Sequence, residues 1–360
     1  MRMPLDLGLG HIEFFVTDIA ATGADLVARY GFQPVGWAGS RGAEGDSYSL
    51  ALRQGAISLV LTRGLSQDHP ASRYVLAHGN GVADIALTTG DVPAAVREAT
   101  RAGGRVVAGP DTLADGSVTA TISGFGDVTH TLVQRSADTP DGLPPGFTPV
   151  PDLQDQPRTH LLNALDHLAV CLEPGQLEPT VRFYETVLGF TTIFTEHIAV
   201  GRQAMNSKVV RSAAGEVVLT LIEPDTSAAP GQIDEFLRDH GGPGVQHLAF
   251  RTDDVVGAVG TLREAGVRFL STPDAYYDLM RGRLELVAHD VEQLRDLNVL
   301  ADEDHDGQLF QIFTRSTHPR GTLFFEVIER CGARTFGSGN IKALYEAVEA
   351  ERLRAQGTPA

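Results

Sequence analysis

The feature that most constrains the fold of this chain is an internal repeat, because a unit that recurs must bury its apolar face against sister units. Gly10-His11-Ile12-Glu13-Phe14-Phe15-Val16 reads as a strand, followed by a helical pattern from Ala21 to Tyr30 and a stop at Gly31-Phe32. The same order returns at Asp166-His167-Leu168-Ala169-Val170, with a helix from Val181 to Val187 and a stop at Gly189-Phe190. A second kind of unit starts at Gly79-Asn80-Gly81-Val82-Ala83-Asp84-Ile85-Ala86-Leu87, with Asp91 to Ala102 as helix and Gly103-Gly104 after it. Its counterpart starts at Gly242-Pro243-Gly244-Val245-Gln246-His247 and runs on through Leu248-Ala249-Phe250, with Asp254 to Ala265 as helix and Gly266 after it. Each unit is strand, helix, glycine stop and further strands, so the expectation is a βαβββ module present four times.

A chain of 360 residues exceeds one ordinary core, and four modules divide naturally into two domains. Pro140, Pro144, Pro145, Pro149 and Pro151 interrupt any regular element between the pairs, which predicts an N-terminal domain over 1–137, a linker over 138–160 and a C-terminal domain over 161–360. Within the last of these, Ile341, Leu344, Tyr345 and Val348 fall at helical spacing, predicting a helix over 338–356 that folds back as a lid. The expected class is α+β, each domain a curved open barrel with its helices outside. The net charge of −17 argues against nucleic acid and anionic membranes as partners. No stretch reads as a membrane span or a signal peptide, so the expected compartment is the cytoplasm. Cys171 and Cys331 are the only cysteines, too few for a disulfide framework or a thiolate cluster.

Chemistry enters where polar residues sit in apolar strands. His247 shares a strand face with Val245 and Ala249, His167 occupies the matching position in its own module, and Glu326 stands in the run Leu323-Phe324-Phe325-Glu326-Val327-Ile328. Two neutral imidazoles and a carboxylate converging on one point would satisfy one another through a divalent metal. The plain alternative is three hydrogen-bonded core residues. Aligning the halves sets His11 against His167, Asp84 against His247 and Thr131 against Glu326, so the N-terminal half keeps one candidate ligand and reads as structural or as a surface for homo-oligomer contacts. Two histidines and one carboxylate leave adjacent positions open, which suits Fe(II), a 2-oxo acid and O₂; zinc would point to hydrolysis or isomerisation.

With these residues in place, the chain resembles the 4-hydroxyphenylpyruvate dioxygenase family, a branch of the vicinal oxygen chelate fold. The resemblance rests on Asp166-His167, Gln246-His247-Leu248-Ala249-Phe250, Thr272-Pro273-Asp274-Ala275-Tyr276-Tyr277-Asp278, Gln308 to Thr314, Thr322 to Glu326 and Phe336-Gly337-Ser338-Gly339-Asn340. It implies that His167, His247 and Glu326 bind Fe(II), that 4-hydroxyphenylpyruvate and O₂ are the substrates, that Ser207 and Gln311 lie in the substrate pocket, and that Phe336 walls it. Beside the Thr272-Pro273-Asp274 turn, Tyr276 and Tyr277 read as structural.

The departures are informative. Where family members that form homogentisate carry proline and asparagine, this chain has Thr220 and Ile222; where they carry two phenylalanines in the last helix, it has Ile341 and Tyr345. That pattern resembles the branch that forms (S)-4-hydroxymandelate for the hydroxyphenylglycine of peptide antibiotics. Losing the amide and changing the packing would turn the substrate ring away and present the benzylic carbon. The rival expectations are homogentisate formation and, in another class, a metal-free binding protein of the same fold.

Overall fold

In the computed structural model, the structure describes residues 5–39, 46–151, 161–337, 339, 340 and 342. The first module is β1 (Gly8–Phe15), α1 (Ile19–Tyr30), β2 (Gln33–Gly39), β3 (Ser47–Gln54) and β4 (Ile57–Gly64). After α2 (Pro70–His78) comes the second: β5 (Gly81–Thr88), α3 (Val92–Arg101), β6 (Val106–Thr112), β7 (Val118–Ser123) and β8 (Thr129–Gln134), followed by the short β9 (Thr148–Pro149). The third is β10 (Ala164–Cys171), α4 (Leu177–Val187), β11 (Thr191–Val200), β12 (Gln203–Arg211) and β13 (Val218–Pro224). Then α5 (Gln232–His240) leads to β14 (Gly244–Arg251), α6 (Val255–Glu264), α7 (Asp274–Arg283), α8 (Val291–Leu297), β15 (Leu300–Asp304), β16 (Gly307–Phe313) and β17 (Phe324–Cys331).

The modules pair as expected into two curled mixed sheets, ordered β6-β7-β8-β5-β1-β4-β3-β2-β9 and β11-β12-β13-β10-β14-β17-β16-β15. In each sheet the first strands of two modules meet antiparallel at the centre, β1 on β5 and β10 on β14. Each first strand also runs parallel to the last strand of its own module. One face of every central strand is apolar and packs against helices, as Ile12 and Phe14 do in β1. The other lines a concave cup.

The helices start and stop by the same devices in different modules. Asp18, Asp91 and Asp254 cap α1, α3 and α6 by accepting the backbone N–H of Ala21, Ala94 and Gly257. Gly31 ends α1 at φ 76° and Gly266 lies just beyond α6 at φ 91°, a left-handed backbone that a side chain would strain.

Two segments depart from the sequence reading. Thr272-Pro273-Asp274 is no isolated turn: extended Pro273 precedes α7, so the fourth module carries α7 and α8 as an insertion ahead of β15. The Pro-rich stretch after β8 is also more ordered than its composition predicts, since Arg135 donates to the carbonyls of Leu143 and Pro140, and Thr148–Pro149 adds a strand against β2. The expected helix over 338–356, with Ile341 and Tyr345, lies outside the described residues except Gly339, Asn340 and Lys342, which are helical. Among the described residues no helix is long and apolar enough to cross a membrane.

One continuous apolar core joins both sheets. Phe32 meets Phe250 with ring centroids 5.9 Å apart, and Tyr30 meets Phe325 at 5.2 Å. A buried polar contact crosses the same boundary, with the Tyr184 hydroxyl 2.9 Å from His130 Nε2 and His130 Nδ1 3.1 Å from the Ile85 carbonyl. The carbonyl only accepts, so Nδ1 carries the proton and Nε2 accepts from Tyr184.

The N-terminal cup shows what replaced the second and third ligand positions. Asp84 pairs with Glu13 on one side and Thr129 on the other, as His247 pairs with Ala169 and Phe324. Its carboxyl accepts from the Thr129 and Thr131 hydroxyls and from the Thr131 backbone N–H, so the neighbouring chain supplies donors where a metal would otherwise be needed. Burial, reinforced by the Glu13 carboxylate and opposed by the threonines, pushes the Asp84 pKa up to about 7.

Two expectations follow. Tyr184→Phe leaves His130 Nε2 buried without a donor and should cost about 1–3 kcal/mol in urea unfolding; an unchanged midpoint defeats the assignment. Because the folded-state pKa of Asp84 is raised, its contribution to stability is greatest at low pH and is lost as pH climbs towards about 7. Asp84→Asn should therefore flatten the fall in melting temperature between about pH 4 and 7, and a wild-type slope in the variant would contradict this.

Candidate metal centre

Three central strands of the C-terminal sheet position the candidate ligands. Ala249 of β14 pairs with His167 on one side and Glu326 on the other, while His247 pairs with Ala169. Ligands from β10, β14 and β17 therefore enter the cup as close neighbours, and the small Ala249 between them leaves the space open. Both histidines follow a register break. Leu165 and His167 pair with consecutive residues of β14, leaving Asp166 unpaired; Val245 and His247 pair with consecutive residues of β10, leaving Gln246 unpaired. Bulges of this kind re-aim side chains. The first cup has the same breaks, at Gly10 and Ala83.

The three side chains are nearly inaccessible, at 5% exposure for His167, 8% for His247 and 2% for Glu326. His167 Nε2 is 3.5 Å and His247 Nε2 3.2 Å from Glu326 Oε2, and the ring centroids stand 5.6 Å apart. One ligand atom from each residue lies within 4.8 Å of the others. Neither nitrogen of His247 has a hydrogen-bond partner, and neither has Glu326 Oε1. Burial holds the His247 pKa below its ordinary value, although the Glu326 carboxylate pulls the other way, so neutral imidazole faces the carboxylate. Lone pairs left together in a buried site cost several kcal/mol unless a cation lies between them. The donor set fits a divalent metal.

His167 is oriented from behind. Its Nδ1 lies 2.8 Å from Asp166 Oδ1, and Arg330 grips the same carboxylate twice, from Nε to Oδ2 at 2.6 Å and from Nη2 to Oδ1 at 2.7 Å. Burial alone would raise the Asp166 pKa, but the bonds from Arg330 and His167 outweigh it and hold the carboxyl well below the usual range. An ionised carboxylate only accepts, so Nδ1 must donate and Nε2 offers its lone pair to the cup. His247 has no such partner and is instead stacked on Phe324, with centroids 4.9 Å apart.

Beside the triad is a cavity of about 330 Å³. Thr220, Ile222, Gln311 and Phe336 line it, together with the three candidate ligands. Ser207 does not: it is buried in β12 opposite Ile222, on the face that Met205 shares, but stands outside the lining. Ile341 and Tyr345 lie outside the described residues. Phe336 also packs edge-on against His167 at 5.1 Å.

The sequence reading missed an entire wall. Gln232, Ile233 and Phe236 of α5 line the cavity, and so do Ser316, Arg320 and Thr322 from the loop between β16 and β17. Ile233, Phe236, Leu237 and His240 at helical spacing were the available signal for α5. Thr220 Oγ1 and Gln232 Nε2 are buried without a partner, so the cavity is apolar with a few unanswered polar groups. Another acidic cluster, Asp304, His305 and Asp306, is a hairpin turn in which Asp304 already accepts several backbone N–H groups.

Comparison with known proteins agrees with this architecture. Models of the Glyoxalase/Bleomycin resistance protein/Dioxygenase superfamily match residues 164–312 and 10–120. A 4-hydroxyphenylpyruvate dioxygenase of Dictyostelium discoideum is 34% identical, covering 96% of this chain and 98% of its own length. One from Yarrowia lipolytica is 31% identical, covering 96% and 92%. A solved structure of a 4-hydroxymandelate synthase variant from Streptomyces coelicolor is 46% identical, with a TM-score of 0.88 over 97% of this chain and 100% of that one. Two curled sheets built from four modules, together with similarity over nearly the full length of these enzymes, place this chain in the 4-hydroxyphenylpyruvate dioxygenase family of the vicinal oxygen chelate fold.

Proposed function

We propose that this protein is an Fe(II)-dependent dioxygenase that converts 4-hydroxyphenylpyruvate and O₂ to (S)-4-hydroxymandelate and CO₂. The observation that carries the reading is the cavity wall, where buried Ile222 sets an apolar side chain at the position that carries an amide in homogentisate-forming relatives. The higher identity to the 4-hydroxymandelate synthase than to the two dioxygenases supports the same choice.

His167, His247 and Glu326 would hold the metal, and when bound there Fe(II) would supply the redox chemistry that joins the oxo acid to O₂. One oxygen atom ends in the new carboxylate and the other in the hydroxyl, while the original carboxyl leaves as CO₂. Homogentisate has the same atoms, so the outcome depends on which carbon the protein presents. Ile222, Ile233 and Phe236 belong to a buried apolar cluster that excludes water around an aromatic ring. Thr220 Oγ1 and Gln232 Nε2 offer that ring's hydroxyl two unsatisfied partners. A metal-free binding role would leave the lone pairs at the triad unanswered.

Single turnover with 4-hydroxyphenylpyruvate, followed by chiral chromatography, should yield (S)-4-hydroxymandelate, and homogentisate as the main product would sink the proposal. Ile222→Asn, alone or with Tyr345→Phe, should divert part of the product to ring hydroxylation; an unaltered ratio would count against Ile222 as the residue that sets aim. Chelation should abolish O₂ uptake, Fe(II) but not Zn(II) should restore it, and Glu326→Gln should prevent the restoration. Full turnover by the stripped protein would refute iron dependence.

A further inference from the structure

We infer that Asp166 and Arg330 are positioning residues, a bracket that fixes how His167 presents itself and ties it to the wall of the cavity. The inference rests on the metal reading above but concerns different residues. Adjacent residues of a strand normally point to opposite faces, so neighbours such as Asp166 and His167 do not ordinarily hydrogen-bond to each other. Here they do, at 2.8 Å, because Asp166 is the unpaired residue of the bulge in β10. At the equivalent point of the first cup the chain has Gly10, which has no side chain to turn towards His11. The device therefore occurs only in the half that keeps all three candidate ligands.

Arg330 makes the bracket rigid. Nε and one Nη2 N–H grip Asp166, while Nη1 donates to the carbonyls of Thr335 at 2.7 Å and Ala333 at 3.3 Å. Its guanidinium lies 5.2 Å from the centre of the Phe336 ring, and that ring meets His167 edge-on at 5.1 Å. A closed circuit results: His167 to Asp166, Asp166 to Arg330, Arg330 to residues 333–336, and Phe336 back to His167. Asp304 closes the far side by accepting the backbone N–H of Arg334 and Thr335. The same guanidinium thus orients a ligand and anchors the start of the C-terminal segment. A lysine could not do both, since its single ammonium lacks the planar fork.

The test is anaerobic titration of the metal-stripped full chain with Co(II), read from its visible absorption, and with Fe(II), alongside circular dichroism. Asp166→Asn and Arg330→Met should each weaken binding about tenfold to a hundredfold and shift the Co(II) bands, with Arg330→Lys failing to restore either. The double variant should bind no worse than the weaker single one, because both act on one circuit. If Arg330→Met does not fold, the near-isosteric Asp166→Asn carries the test alone. Wild-type affinity and bands in both single variants, or effects that add fully, would overturn the proposal. If wild-type protein takes up no Co(II), or Glu326→Gln takes it up equally well, the metal reading itself fails.

Discussion

The structure depends on the antiparallel pairing of first strands at the centre of each sheet. In the C-terminal sheet this pairing sets Ala249 against His167 and Ala169 against His247, and the parallel addition of β17 brings Glu326 alongside. Residues far apart in sequence meet because each belongs to the innermost strands of its module. A slip of one residue would send one imidazole to the helical face, where it would meet the apolar core. Register is thus held by burial of the apolar face, and the buried polar groups inherit their precision from it.

Both cups show the same geometry with different contents. In the second, unanswered lone pairs converge; in the first, Asp84 takes donors from Thr129 and Thr131. A buried polar group needs a partner. The first sheet meets this need at Asp84 within the protein, and its apolar side supports the second sheet through contacts such as Phe32 on Phe250.

Much of this was legible in the sequence, and what was not has physical causes. Strand periodicity, aspartate caps and glycine stops are local signals, so the four modules and the matching positions of His167 and His11 could be read directly. Polar residues within apolar strands are conspicuous, which made His247 and Glu326 candidates. The α5 wall was hidden because its stripe of Ile233, Phe236 and Leu237 looks like any helix packing on a core, and only the tertiary structure turns it towards a cavity. The place of Ser207 depends on how far the strand curls, which alternation does not encode. The bulge at Asp166 is equally invisible, since nothing in Leu165-Asp166-His167 announces that the middle residue is unpaired.

The cavity is assembled from two kinds of part. The candidate ligands stand on strands near the middle of an eight-stranded sheet, whereas much of the enclosure comes from α5, the Ser316–Thr322 loop and the segment at Phe336, all outside the strands. The enclosure made by α5 and the Ser316–Thr322 loop can therefore be remodelled without disturbing the strands that carry the candidate ligands, whereas Phe336, tied to His167 through Arg330, and Ile222 of β13 cannot change so freely.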